Sequence, residues 1–103
     1  MDEMDKLSGI GNYLKELFPG YVIENRWDSK SRRYMFRVDA PTGMTKHRIA
    51  ISGEFVSDNA PEDIVTCLKL DNLKAYLEMF GNKEVLVTND GINPDRIYAS
   101  VFK

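Results

Sequence analysis

The chain has one cysteine, one histidine and one tryptophan, and the first two scarcities each close off a class of chemistry. A single thiol, Cys67, cannot form an intrachain disulfide and cannot supply a cysteine-based zinc site. With His47 as the one imidazole, a histidine metal cluster is excluded too. No apolar run approaches the ~18 residues of a membrane span. The opening Met1-Asp2-Glu3-Met4-Asp5-Lys6 is acidic where a secretory leader would be basic, and no apolar stretch follows it. Nor is there an excess of positive charge: 14 Lys and Arg face 16 Asp and Glu, for a net charge of −2. That balance argues against a surface given over wholly to nucleic acid and leaves room for a local patch. The expectation is a cytoplasmic protein with a free thiol and no cofactor.

Catalytic signatures are also missing. Gly9-Ile10-Gly11 lacks the third glycine and the preceding strand of a dinucleotide fingerprint. The stretch Asn89-Asp90-Gly91-Ile92-Asn93-Pro94-Asp95 is rich in oxygen donors but lacks the calcium-loop order and its distal glutamate, so it reads as a hairpin turn. Asp58, Glu62 and Asp63 gather at a helix start, where the helix dipole accounts for them. A nucleophilic pair of Cys67 with His47 is conceivable, but no third orienting group stands in recognisable spacing, and Cys67 lies in an apolar helical stretch. No catalytic and no metal-binding residues are assigned, and the protein is read as a non-enzyme.

What is present is the hydrophobic patterning of one domain over residues 1–103, with the first five residues expected to lie outside the folded part. Met4, Leu7, Ile10, Leu14, Leu17 and Phe18 recur at helical spacing, and Phe18-Pro19-Gly20 stops the helix. Ser8 could cap a shorter version, because Gly9 and Gly11 are poor helix residues. Three strands follow: about 21–27, 33–39 and 46–55. Asp28–Arg32 and Ala40–Thr45 form the turns. The Arg33–Val56 hairpin organises the fold, with Tyr34, Phe36, Val38, Ile49 and Ile51 on the face that needs cover. Gly53 marks a bulge or the close approach of a helix. A second helix runs from about Ser57 to Phe80, with a kink or break near Asp71, which could cap a second segment. Strands at 83–88 and 96–102 complete the order α-β-β-β-α-β-β. The last of these is apolar on both faces and is the expected self-association strand. The fold class is α+β: a two-layer sandwich with helices on one face of an antiparallel sheet.

The strongest local signal is basic. Between Tyr21 and Arg48 seven Lys and Arg face three Asp and Glu, a local charge of +4. Strand alternation puts Arg26, Arg33, Arg37 and Arg48 on the outer sheet face, where guanidinium forks suit phosphate or carboxylate oxygens. The bland reading is that antiparallel sheets commonly show water a charged face, with Glu24, Asp28 or Asp39 pairing with those arginines.

No family is recognisable from motifs. The α-β-β-β-α order of residues 4–80 is similar to that of double-stranded RNA-binding domains, whose second helix opens with a lysine cluster; here Ala60-Pro61-Glu62-Asp63-Ile64 is acidic. The full order, size and acidity look like small secretion chaperones, and that resemblance implies a dimer holding unfolded partner segments. The expected function is protein binding or regulation without catalysis, through a protein partner or a second copy. The alternative is nucleic-acid binding through the four arginines.

Overall fold

A computed structural model describes residues 2–94. The first helix, α1 (Asp2–Leu17), starts well before Ser8, which lies inside it. Gly9 and Gly11 are tolerated because α1 is held by tertiary packing more than by propensity. Ile10 and Leu14 are fully buried, and a methyl group added at Gly9 would touch Val65 Cγ2 of a later helix at 3.7 Å. The chain leaves α1 through Gly20, whose φ of 85° favours glycine.

Strands β1 (Val22–Asp28), β2 (Arg33–Asp39) and β3 (Thr45–Ser52) form the antiparallel meander that the alternation predicts. At the first turn the Ser31 hydroxyl donates to Asp28 Oδ2 at 2.7 Å, and Arg32 takes a left-handed φ of 57°. At the second, Gly43 has a φ of 96°.

Strand β3 stops earlier than its sequence suggests. Gly53 opens a short helix, α2 (Gly53–Asp58), and the Ser52 side chain accepts the Glu54 N–H at 3.2 Å. Helical geometry there turns both Phe55 and Val56 into the core, where a continued strand would have put them on opposite faces. Helix α3 (Pro61–Leu70) follows, with Pro61 and the acids Glu62 and Asp63 in its first turn.

The expected break near Asp71 is real, and its physical cause is visible. In an unbroken helix Leu73 would lie about 500° around the axis from Leu68, or about 140° off its face. Asn72 takes up the left-handed conformation (φ 60°, ψ 53°) that asparagine tolerates. The chain then restarts as α4 (Leu73–Phe80), which buries Leu73 and Leu77 beside Ile64 and Leu68. Asn72, not Asp71, is the N-cap of α4, and its side chain makes no cap bond; Asp71 instead ends α3 as its C-cap.

The remaining described strands are β4 (Glu84–Thr88) and β5 (Gly91–Pro94). The five-stranded sheet has the order β1-β2-β3-β4-β5. It departs from an all-antiparallel sheet at one place: β4 runs parallel to β3. The helices across 53–80 return the chain to the end of the sheet where β3 began, which makes the next strand parallel. The oxygen-rich stretch after β4 is a hairpin, but a tighter one than its composition suggests. Thr88 already pairs with Gly91, so Asn89 and Asp90 alone form the loop. The strand expected at 96–102 lies outside the described residues.

The fold is α+β, with the helices packed on one face of the sheet. Tyr34, Phe36, Val38, Ile49, Ile51, Val85, Val87 and Ile92 meet Ile10, Leu14, Ile64, Leu68, Leu73 and Leu77 in one cluster. The opposite face carries Arg26, Arg37 and Arg48 exposed, and Ala50 and Leu86 buried. No helix of the described residues is long and apolar enough to cross a membrane.

Candidate functional site

The four arginines sit on the outer face as the alternation predicts, but acids interrupt them. One row across four strands reads Glu24, Arg37, Arg48, Glu84, directly paired in register. Arg37 is the hub. Its Nε donates to Asp39 Oδ2 at 2.9 Å and its NH2 to Glu24 Oε1 at 2.9 Å. Asp39 is buried and accepts a further bond from Thr45 Oγ1 at 2.9 Å, so the guanidinium has a formed carboxylate site beside it. Arg33 lies 4.0 Å from Glu84.

Four carboxylates, Glu24, Asp28, Asp39 and Glu84, therefore share the face with four arginines. Glu84 comes from a strand outside the basic segment and reaches the face only through the helical crossover. Arg26 and Arg48 are exposed, and no ion pair holds either of them among the described residues. Arg26 does act at a distance on Asp28: the Ser31 hydrogen bond first, then the Lys30 N–H and the Arg26 charge, hold the Asp28 carboxyl below its ordinary range.

The conceivable nucleophilic pair does not form. The ring of His47 lies against Phe18 at 4.7 Å between centroids, and its Nδ1 stands 3.0 Å from the Gly81 carbonyl. Because a carbonyl only accepts, that nitrogen carries the proton. No hydrogen bond joins His47 to the half-buried Cys67. Burial pushes the Tyr13 phenol up, with the Glu16 charge adding to the effect. No group of three or more potential metal ligands occurs among the described residues.

An open cleft of about 1030 Å³ lies at the end of the sheet that carries the β1–β2 turn. Met4, Leu7, Trp27 and Tyr34 give it apolar walls, while Arg32, Arg33, Glu3, Glu54 and Asp58 supply charges of both signs. It therefore selects no ligand by charge. Trp27 belongs both to the cleft and to β1. Its ring packs on Tyr34, with centroids 4.6 Å apart, and still leaves 47% of the residue exposed.

Strand β1 is an edge, pairing with β2 alone among the described residues, and most of its residues are exposed. Its outward hydrogen-bonding groups, unpaired among the described residues, can be assigned. The Gly53 N–H donates to the Arg32 carbonyl at 3.0 Å, flanking the Arg33–Ser52 pair. Those two residues are thus a non-hydrogen-bonded pair, and Arg33 turns its own N–H and C=O toward Asp28 of β1. Alternation then directs the groups of Asp28, Arg26 and Glu24 at β2. The N–H and C=O of Ile23, Asn25 and Trp27 point away from the sheet. Sequence alone could not find this feature, because alternation gives faces and does not give strand order. The exposed Trp27 in a strand whose other residues from Glu24 on are polar was its one local trace.

Searches against protein-family models, curated proteins and solved structures found no match to this chain, so the site is read from its own geometry.

Proposed function

We propose that this is a non-enzymatic protein-binding module that takes an extended partner segment along the free edge of β1. The observation that carries the reading is the row of outward N–H and C=O groups at Ile23, Asn25 and Trp27. Such an edge is a template for strand addition, in which main-chain bonds give affinity and neighbouring pockets give specificity. Trp27 supports the reading further, since it joins the edge to the adjoining cleft and offers an aromatic anchor beside it. A reducing cytoplasm is the setting that suits the free thiol of Cys67.

Selection of a displayed peptide library on the purified domain tests the reading, followed by amide exchange on the bound complexes. The expected result is slowed exchange at Ile23, Asn25 and Trp27, and loss of binding in Asn25→Pro. That variant removes an outward N–H and should leave the fold intact. Binding that leaves those amides unprotected and survives Asn25→Pro would overturn it.

The second reading, a nucleic-acid partner, is favoured by the exposed charges of Arg26 and Arg48. With two phosphates neutralised, log affinity would fall with log salt at a slope of about −1.8 on duplex DNA. The pairing of Arg37 and Arg33 with acids weighs against a larger footprint.

A further inference from the structure

The β1 edge carries its own complement. We infer that a second copy of this chain docks on it, β1 against β1 in antiparallel orientation, about a two-fold axis through Asn25. This rests on the strand-addition reading above and names its occupant.

The argument is one of register. A two-fold axis passing between residues would set an outward-pointing residue against an inward-pointing one and lose the ladder. An axis through Glu24 sets Glu24 against its own copy, and an axis through Arg26 does the same for Arg26; both juxtapose like charges. Centred on Asn25, all seven residues of β1 (Val22–Asp28) overlap. Glu24 then faces Arg26 of the second copy, and Arg26 faces Glu24, so the two charge pairs form at once. These are non-hydrogen-bonded positions, where cross-strand side chains come closest. Ile23 faces Trp27 on the side of the helices, matching apolar to apolar. Asn25 faces itself, and the outward N–H and C=O groups of Ile23, Asn25 and Trp27 all find partners.

The side chains are available for this. Glu24 gives Oε1 to Arg37, which leaves its second oxygen free to accept from Arg26 of the second copy. The Glu24 side chain is 60% exposed, and Arg26 has no ion pair to break among the described residues. The surface is isologous, as closed two-fold assembly requires. A seven-residue edge buries less than a standard interface, so association in the high-micromolar range is expected.

Charge exchange tests the register. Sedimentation velocity and equilibrium on the full chain should show a monomer–dimer equilibrium. Glu24→Arg sets Arg against Arg across the axis, and Arg26→Glu sets Glu against Glu. Each should weaken self-association at least about tenfold. The double variant restores both pairs and should regain the dimer. An equimolar mixture of the two single variants should form a heterodimer, because one strand then carries two arginines and the other two glutamates. Two-dimensional NMR spectra confirm that each variant is folded.

A wild-type chain that is monomeric at about 1 mM overturns the inference, as does a dimer indifferent to both single changes. Folded single variants that lose the dimer while neither the double variant nor the mixture recovers it also overturn it. If self-association fails but selected peptides still protect Ile23, Asn25 and Trp27, strand addition stands and the second copy as its occupant does not.

Discussion

Replacing Gly53 by alanine tests how β1 is locked to α2. Gly53 has no left-handed φ, so the argument concerns space. An alanine Cβ there would lie 3.1 Å from the Arg32 carbonyl oxygen, 3.1 Å from Trp27 Cη2 and 3.3 Å from Trp27 Cζ3. The indole is half exposed and can swing outward. The carbonyl cannot yield as easily, because it accepts the Gly53 N–H at 3.0 Å and belongs to Arg32, which is held at a φ of 57°.

Two effects compete. Alanine removes chain freedom from the unfolded state, a gain of about 0.4–1 kcal/mol. Overpacking costs about 1–3 kcal/mol. The second wins, and a net loss of about 1 kcal/mol is expected, lowering the Tm by about 4–8 °C. Trp27 is the one tryptophan, so its emission reports the displacement directly and should shift to longer wavelength. Urea melts at low protein concentration, followed by fluorescence and far-ultraviolet circular dichroism, measure both quantities. In a Trp27→Ala background two of the three contacts vanish, and Gly53→Ala should cost less by at least about 0.5 kcal/mol. A Gly53→Ala protein as stable as wild type, with unchanged emission and no coupling to Trp27, would refute the reasoning.

Two other perturbations address the β1–β2 turn. The Asp28 carboxyl is depressed in the folded chain, chiefly by the Ser31 hydrogen bond, so the stability it contributes is present above the ordinary carboxylate range. That contribution is lost as pH falls through the depressed folded value. The stability difference between wild type and Asp28→Asn should therefore shrink from about pH 6 to about pH 2, as measured by urea denaturation; a constant difference would contradict the assignment. Arg32 is exposed and left-handed, a conformation that costs a non-glycine residue about 1–2 kcal/mol. Glycine there gives back about 0.5–1 kcal/mol of that in unfolded-state entropy. Arg32→Gly should raise stability by about 0.5–1 kcal/mol, and a lower thermal midpoint would show that the turn depends on the arginine side chain.

Much of the fold is legible locally. The step-of-three-and-four pattern from Leu7 to Leu17 specifies α1, and the alternation of Tyr34, Phe36 and Val38 fixes which face of β2 is buried. The stripe's drift after Leu70 marks the helix break at Asp71 and Asn72. Each of these signals is a repeat within one element, and burial against a single layer imposes it. The end of β3 was less legible, because Phe55 and Val56 beyond Gly53 are strand formers that continue the run of Ile49-Ala50-Ile51. Only the space beside the Trp27 ring and the Ser52 cap turn its last residues into a helix.

The candidate site divides in the same way. Sequence placed Arg26, Arg33, Arg37 and Arg48 on one face, and the structure keeps them there. It did not reveal that Glu84 lies in the same row as Arg37 and Arg48, because the two strands are linked by a helical crossover that no local pattern encodes. It did not identify β1 as an edge, either. By itself the sequence determined composition class, the faces and, apart from α2, the element types, since periodicity is a property of one segment. Tertiary structure alone decided the parallel β3–β4 pairing, the Glu24–Arg37–Arg48–Glu84 row and the outward direction of the Ile23, Asn25 and Trp27 groups. Those depend on which strands become neighbours, and that choice is made by the packing of the whole chain.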